Sequence, residues 1–294
     1  MINQPRIYRR SPAQSILVMG LLVIFGFFVL RDLPRGSFVP PLLFVLLLGT
    51  AFISALHSMT QTTIISDDGI STRSLLGEKS LRWDEISRVS GRGQSVKLHN
   101  FDGGVTVSPS SQLPGYEEVV EWIGGKRPDL FPARENEEMK RGWQSLTVLV
   151  MALVFAFSVF SAAGILSFLK GEAKTAALTP LLVLIFIALV FLGMTLSLPQ
   201  SLTLQGNSLR VKYLFREETL RAGEIAAISL NFSRDKNVKN YSILIARKNK
   251  KPIEISGLRP SLPIIYLTLK NWHKKNAEIG LTTQRNEHPP ITFR

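Results

Sequence analysis

The stretch TIISDDGISTRSLLGEKSLRWDEISRVS, Thr63–Ser90, aligns without a gap with LTLQGNSLRVKYLFREETLRAGEIAAIS, Leu202–Ser229, at an offset of 139 residues. Identical residues recur at matching positions: Leu75 and Leu214, Glu78 and Glu217, Leu81 and Leu220, Arg82 and Arg221, Glu85 and Glu224, and Ile86 and Ile225. Self-similarity at a fixed offset is typical of chains that repeat one structural unit. The sequence therefore predicts two copies of a single unit.

A long apolar segment precedes each copy. Four runs lack internal charged residues, and they cover residues 15–30, 38–56, 146–169 and 176–198. A bilayer core of about 30 Å requires about 20 such residues in a helix, so the runs predict four transmembrane helices in two hairpins. A cleaved signal peptide is the alternative for the first run, because three arginines precede it. The sequence Leu30-Arg31-Asp32-Leu33, however, stands where a small-residue cleavage site should be.

Lys and Arg are distributed unequally between the two sides of these expected spans. Twelve lie near the span ends on the side of the repeated stretches, and four lie at the hairpin tips. The positive-inside rule then predicts a multi-pass protein of the cell inner (plasma) membrane, with both termini and both soluble domains cytoplasmic. The absence of cysteine agrees with a reducing compartment.

Each apolar hairpin is followed by short alternating segments and then by a helical pattern. The segments are rich in Ile, Val and Thr and are separated by turn residues, which predicts strands. In the first copy the strands are expected at 62–66, 70–76, 79–89, 95–99 and 105–108, and in the second at 202–204, 209–215, 218–230, 241–247 and 252–256. The helices are expected from Leu113-Pro114 and over 261–275, where Tyr116, Trp122, Tyr266 and Trp272 should pack onto the sheets.

The stretch from Ile65 to Ile86 resembles bacterial pleckstrin-homology-like (PH-like) domains attached to membrane hairpins. The resemblance rests on an Asp-x-Gly turn before an apolar residue, a basic strand, and a strand of the form apolar-x-Trp-x-(Asp/Glu)-Ile. The second copy departs from it, with Gly206-Asn207-Ser208 at the turn and Ala222 in place of Trp83. The resemblance implies an α+β membrane protein with two PH-like β-barrel or sheet domains, each closed by a C-terminal helix.

The expected domain order follows from the repeat and the apolar runs. It is an N-terminal tail with the first transmembrane hairpin at 1–57, PH-like domain 1 with a linker at 58–143, and the second hairpin at 144–198. PH-like domain 2 is expected at 199–276 and a flexible C-terminal tail at 277–294. Small residues in the third run, including Ala152 and Ala156, would pack the hairpins into a four-helix bundle or form a homo-oligomer.

No group of residues points to catalysis. The chain has no cysteine, its four histidines lack metal-ligand spacing, and no Gly-x-Ser-x-Gly elbow is present. The apolar runs contain no internal ionisable residue, which argues against transport and intramembrane catalysis. We therefore expect a non-enzymatic protein that needs no cofactor and no metal.

The positive charge is concentrated in the second copy. Residues 57–143 hold 11 Lys and Arg against 13 Asp and Glu, whereas residues 199–294 hold 17 against 7, a net charge of +10. Arg247, Lys248, Lys250 and Lys251 join two predicted strands and are the candidate site for an anionic lipid or a partner protein. The alternative is a solvated turn whose charge serves solubility. Nucleic acid is not expected, because the basic segment lacks interleaved aromatic residues and a known RNA-binding motif.

Two functions follow from these observations. The first is a non-enzymatic integral membrane docking or scaffold protein, whose tandem PH-like domains at the cytoplasmic membrane surface bind membrane lipids or a protein partner. The second is an accessory subunit of a membrane transporter or enzyme complex whose chemistry lies on another chain.

Overall fold

The structure is a computed structural model. It describes residues 5–9, 16, 19–21, 23–24, 26–27, 39–75, 77–135, 137–142, 158, 186, 190, 193, 198–235, 238–248 and 250–287. The chain divides into two compact units. Unit 1 comprises Met1–Gly91, Ser95–Leu130 and Asp235–Lys239, and unit 2 comprises Arg92–Gln94, Phe131–Arg234 and Asn240–Arg294.

Unit 1 contains two antiparallel sheets and a packed helix. The first sheet has the order β1-β2-β3-β4, and the second has the order β5-β6-β7. The strands are β1 (Arg6–Arg9), β2 (Thr62–Ile65), β3 (Gly69–Ser74), β4 (Gly77–Arg82), β5 (Ile86–Ser90), β6 (Lys97–Asn100) and β7 (Thr106–Val107). The helices are α1 (Val39–Thr60), α2 (Tyr116–Lys126) and the short 3-10 helix η1 (Pro128–Leu130).

The core of unit 1 follows from alternation in the strands and helical spacing in α2. Ile65 and Ile70 face each other across β2 and β3 and are both buried. Between these strands, a Cβ at Gly69 would lie 2.3 Å from the carbonyl oxygen of Leu81, so only glycine fits there. In α2 the buried side chains are those of Tyr116, Val119, Val120 and Ile123. Burial raises the pKa of the Tyr116 hydroxyl.

Residues 235–239 belong with unit 1 although they lie late in the chain. The Gln112 side chain exchanges two hydrogen bonds with the backbone of Lys239, at 3.2 Å and 3.3 Å. Lys239 Nζ also donates to the carbonyl of Leu113 at 3.1 Å. These bonds attach Lys239 to the loop that precedes α2.

Unit 2 repeats the arrangement of two antiparallel sheets and a C-terminal helix. One sheet has the order β11-β10-β9-β8 and the other the order β12-β13-β14. The strands are β8 (Glu138–Lys140), β9 (Ser201–Gln205), β10 (Ser208–Lys212), β11 (Glu217–Arg221), β12 (Ile225–Asp235), β13 (Val238–Arg247) and β14 (Lys250–Ile255). A 3-10 helix, η2 (Ala222–Glu224), links β11 to β12, and α3 covers Leu262–Glu287.

The strand registers of the two units match at the offset of 139. Thr62 pairs with Arg73 in unit 1, and Ser201 pairs with Lys212 in unit 2. Gly69 likewise pairs with Arg82, and Ser208 pairs with Arg221. The aligned stretches therefore form the same three-stranded meander.

Each meander gains an edge strand that the sequence analysis did not anticipate. Arg9 of β1 pairs with Thr62, and Lys140 of β8 pairs with Ser201. Both strands are short, with 4 and 3 residues, and mostly polar, so neither carries a strong strand pattern. As a result, the chain leaves the sheet at β1 or β8, before a long apolar segment, and returns at the neighbouring strand, β2 or β9.

The predicted fold class is wrong in its membrane part. Within the described residues, no helix combines the length and apolar character that crossing a membrane requires. This contradicts the prediction of four transmembrane helices and of a multi-pass protein in the inner membrane. The third and fourth expected spans lie outside the described residues, apart from Ser158, Phe186, Val190, Gly193 and Leu198.

The expected β-barrel is also corrected. The described part of the chain is mostly antiparallel β-structure in four separate sheets, and none of them closes into a barrel. Two long strands that the sequence predicted, 79–89 and 218–230, are each broken in two. The break is a turn at 83–85 in unit 1 and η2 in unit 2, and it separates the two sheets of each unit.

A basic cleft in the second unit

The link between the two sheets is built on the same backbone frame in both units. In unit 1, Trp83 N donates to the carbonyl of Asp68 at 3.1 Å, and Arg82 N donates to Glu85 Oε2 at 3.0 Å. At the matching positions of unit 2, Ala222 N donates to the carbonyl of Asn207 at 3.0 Å, and Arg221 N donates to Glu224 Oε2 at 3.3 Å. The recurring glutamate therefore caps the link in each copy.

In unit 1 the space beside this link is filled by side chains. Trp83 is only 7% exposed, and its indole Nε1 donates to the carbonyl of Ser66 at 3.1 Å. Arg127, just after α2, donates through Nη1 to the carbonyls of Trp83 and Ile86, both at 2.5 Å. Asp129 hydrogen bonds to this guanidinium, which raises the pKa of Arg127 and lowers the pKa of the carboxyl. These contacts hold the link in place.

In unit 2 a cleft lies beside the matching link. Ala222 replaces the tryptophan, and the indole that contacts the preceding turn comes instead from Trp272 of α3, whose Nε1 donates to the carbonyl of Gly206 at 2.8 Å. His273 Nε2 lies 3.2 Å from the carbonyl oxygen of Ile225, the position matching Ile86. Beside Ala222 lies a cleft of about 610 Å³ lined by Asn207, Arg221, Ala222, Gly223, Glu224, Ile225, Ala226, Lys248, His273, Asn276 and Ala277.

The polar side chains of this cleft favour an anionic ligand. Arg221 and Lys248 are exposed at its rim, and His273 lies half-buried within it. The acidic residue of the lining, Glu224, has one carboxylate oxygen engaged by the backbone N–H of Arg221. Lys248 N donates to the carbonyl of Glu224 at 3.0 Å, which holds the β13–β14 turn against the cleft. We call this site the Lys248 cleft.

The structure separates the four basic residues that the sequence grouped together. Lys248 lines the cleft, whereas the Arg247 side chain is 10% exposed and forms an ion pair with Glu218. Arg247 Nε also donates to the carbonyl of Lys251 at 2.6 Å, so this arginine holds the hairpin together. Lys250 and Lys251 are exposed on β14 and are not part of the cleft lining.

Arg221, His273 and Asn207 are cleft residues that the sequence analysis did not nominate. They are distant from Lys248 in sequence and meet it only through the pairing of β11 with β10 and the packing of α3 on η2. One sequence signal did point to this place, namely Ala222 at the position of Trp83. A large residue replaced by a small one in an otherwise repeated frame indicates a space.

The cleft does not have the composition of a metal centre. Among the residues that the structure describes, no three His, Cys, Asp or Glu side chains come together as metal ligands. Compared with known proteins, the chain matches no protein-family model and no curated relative.

Proposed function

We propose that this chain is a non-enzymatic docking protein whose second unit binds an anionic group of a partner in the Lys248 cleft. One observation carries the proposal: the two units share a backbone frame, and only unit 2 has Ala222 where unit 1 has Trp83. The cleft thus lies beside a position where a small residue in one copy replaces a large one in the other, which leaves room for a ligand.

The size and charge of the cleft support this role. Ligand sites typically occupy about 300–1,000 Å³ and contain a few convergent polar groups, and the Lys248 cleft lies within that range. Arg221 and Lys248 can donate charge-assisted hydrogen bonds to a phosphate or carboxylate. The net charge of +10 over residues 199–294 attracts an acidic partner before contact.

The anionic group belongs, in this proposal, either to a protein partner or to a lipid head group. Exposed Lys250 and Lys251 on β14 would widen the contact beyond the cleft. The resemblance to PH-like domains agrees with docking, and it stays a prediction that no comparison tests.

The experiment is a capture of binding partners by the tagged full-length chain, with proteins and lipids identified by mass spectrometry. Arg221→Gln with Lys248→Gln should lose the ligand that the wild type retains. The matched control is Lys274→Gln with Lys275→Gln, which removes two exposed charges on α3 outside the cleft lining. Equal retention by both double variants would contradict the proposal. A protein retained at fixed stoichiometry by every variant would instead indicate an accessory subunit.

A further inference from the structure

The tip of the β10–β11 hairpin exposes two large apolar side chains on a tight turn. Tyr213 N donates to the carbonyl of Arg216 at 2.8 Å, and the Arg216 guanidinium lies 4.2 Å from the centre of the Tyr213 ring. Tyr213 is buried, but Leu214 is 46% exposed and Phe215 is 85% exposed. Single exposed apolar residues are common on proteins, so the tip requires a second observation.

That observation comes from unit 1, where the matching tip also exposes a leucine. Leu75 corresponds to Leu214 and is 56% exposed. Its backbone N–H donates to Thr60 Oγ1 at 3.2 Å, so this turn is also held in place. Both copies therefore present a leucine to solvent at the same point of the hairpin.

The sheet face beside the unit 2 tip is basic. Lys140, Ser201, Lys212 and Glu217 form one row across β8 to β11, directly before the tip. The alternate residues, Met139, Leu202 and Val211, are buried, so this row faces solvent. A surface groove of about 500 Å³ runs along it and is also lined by Arg141 and Arg210.

Ion pairs account for only part of this charge. Lys140 pairs with Glu138 at 2.9 Å, and Arg210 pairs with Glu217 at 2.8 Å. Lys212 and Arg141 are the groove cations that remain after its two acidic residues are matched, and Arg216 lies outside the groove, over the Tyr213 ring. Lys212 and Arg216 thus stand on either side of the two exposed apolar residues in the chain.

We propose that the β10–β11 tip docks on the surface of an anionic lipid bilayer. Leu214 and Phe215 would enter the apolar boundary layer, and Lys212 and Arg216 would meet the phosphate and carboxylate groups above it. The pattern of the tip, apolar at its apex and cationic around it, complements a surface that is anionic outside and apolar beneath. This surface is distinct from the Lys248 cleft, and its role does not depend on that site.

The first test measures binding of the full-length chain to phosphatidylcholine vesicles with and without phosphatidylserine. Leu214→Ser with Phe215→Ser should weaken binding to the phosphatidylserine vesicles by roughly tenfold, because apolar burial is lost. Lys212→Gln with Arg216→Gln should weaken it by about fivefold for each cation and reduce its salt dependence. The control, Lys274→Gln with Lys275→Gln, should bind as the wild type does. Unchanged binding of both tip variants would overturn the proposal.

A second test does not depend on affinity. The chain has no cysteine, so Phe215→Cys offers a unique position for a polarity-sensitive fluorophore. Phosphatidylserine vesicles should shift the emission of this label to the blue, whereas a label at Lys274→Cys should not respond. Absence of the shift at position 215 would contradict docking of the tip on the bilayer. Loss of a captured protein when the tip residues are changed would indicate that the tip binds that protein instead. The Arg221 and Lys248 variants, tested separately, show whether the cleft proposal stands or fails independently.

Discussion

The two units connect their sheets through the same backbone link but pack different side chains against it. Unit 1 covers the link from within, because Trp83 belongs to the link itself and Arg127 clamps its carbonyls. Unit 2 covers the preceding turn from outside, through Trp272 of α3, and leaves a space beside Ala222. The comparison teaches that the backbone link keeps its form with either a tryptophan or an alanine at this position, and that the cleft lies beside the alanine.

The largest effect is expected from removing either indole. Trp83→Ala should destabilise unit 1, and Trp272→Ala should destabilise unit 2, each by about 3–5 kcal/mol, since a buried aromatic ring and a hydrogen bond are lost. Hydrogen exchange resolved by peptide would show which unit opens. Loss of protection in β2 to β4 for Trp83→Ala, and in β9 to β11 for Trp272→Ala, is the expected pattern. If both substitutions opened the same strands, the two indoles would not be equivalent.

The next effect concerns the turn beneath each indole. Gly69→Ala places a Cβ against the Leu81 carbonyl and should cost about 1–3 kcal/mol of unfolding free energy. Ser208→Ala is the matched change in unit 2, where a side chain is already accommodated. It removes the bond from Ser208 Oγ to the carbonyl of Gln205, which lies 2.9 Å away and is exposed, so its cost should be smaller. Denaturant titration of both variants measures the difference.

A third prediction concerns a tryptophan placed at position 222, where unit 2 has an alanine and unit 1 has Trp83. Ala222→Trp should fill the Lys248 cleft and weaken binding of the captured ligand at least tenfold, while the fold is retained. Ala222→Ser adds one small polar atom and serves as the control. Binding that survives Ala222→Trp unchanged would move the ligand site away from the cleft.

The smallest effect is a pH dependence expected in unit 1. Desolvation, aided by Arg88 and Lys97, lowers the pKa of His99 below its ordinary value of 6.5. The unfolded chain then binds the proton more readily than the folded one, so stability is full above pH 6.5 and falls as the pH drops through that value toward the folded pKa. His99 lies 2.7 Å from Ser90 Oγ and 3.1 Å from Thr106 Oγ1. His99→Gln should remove this pH dependence, so that the unfolding free energy of unit 1 changes less between about pH 7 and about pH 5 than in the wild type. Denaturant titration at each pH measures the difference.

The repeat allowed much of the local fold to be predicted. The central strands of each meander and the existence of α2 and α3 follow from alternation, turn residues and helical spacing. Tyr116, Tyr266 and Trp272 are buried as expected, but Trp122 is half-buried and lies under Arg6 and Lys126. The ends of α3 were not predictable, because the helix continues to Glu287 through a polar segment that lacks an apolar stripe.

The candidate site was predictable only in part. Lys248 stood out because it lies in a run of positive charge, and charge runs are visible in sequence. Arg221 and His273 reach the same cleft through strand pairing and helix packing, which no local pattern encodes. Arg247 shows the opposite error, because the sequence nominated it as a binding residue although it pairs with Glu218 and is nearly buried.

The pairing of Arg9 with Thr62 also constrains how unit 1 assembles. These residues are 53 positions apart, whereas β2 and β3 are joined by a turn. Closing the longer loop costs about 2 kcal/mol more entropy than closing a short hairpin, so β1 should join the sheet late. During synthesis β1 thus stays unpaired until β2, which follows the apolar segment, has formed. Until β1 joins the sheet, β2 remains an unpaired edge that can pair with strands of other chains.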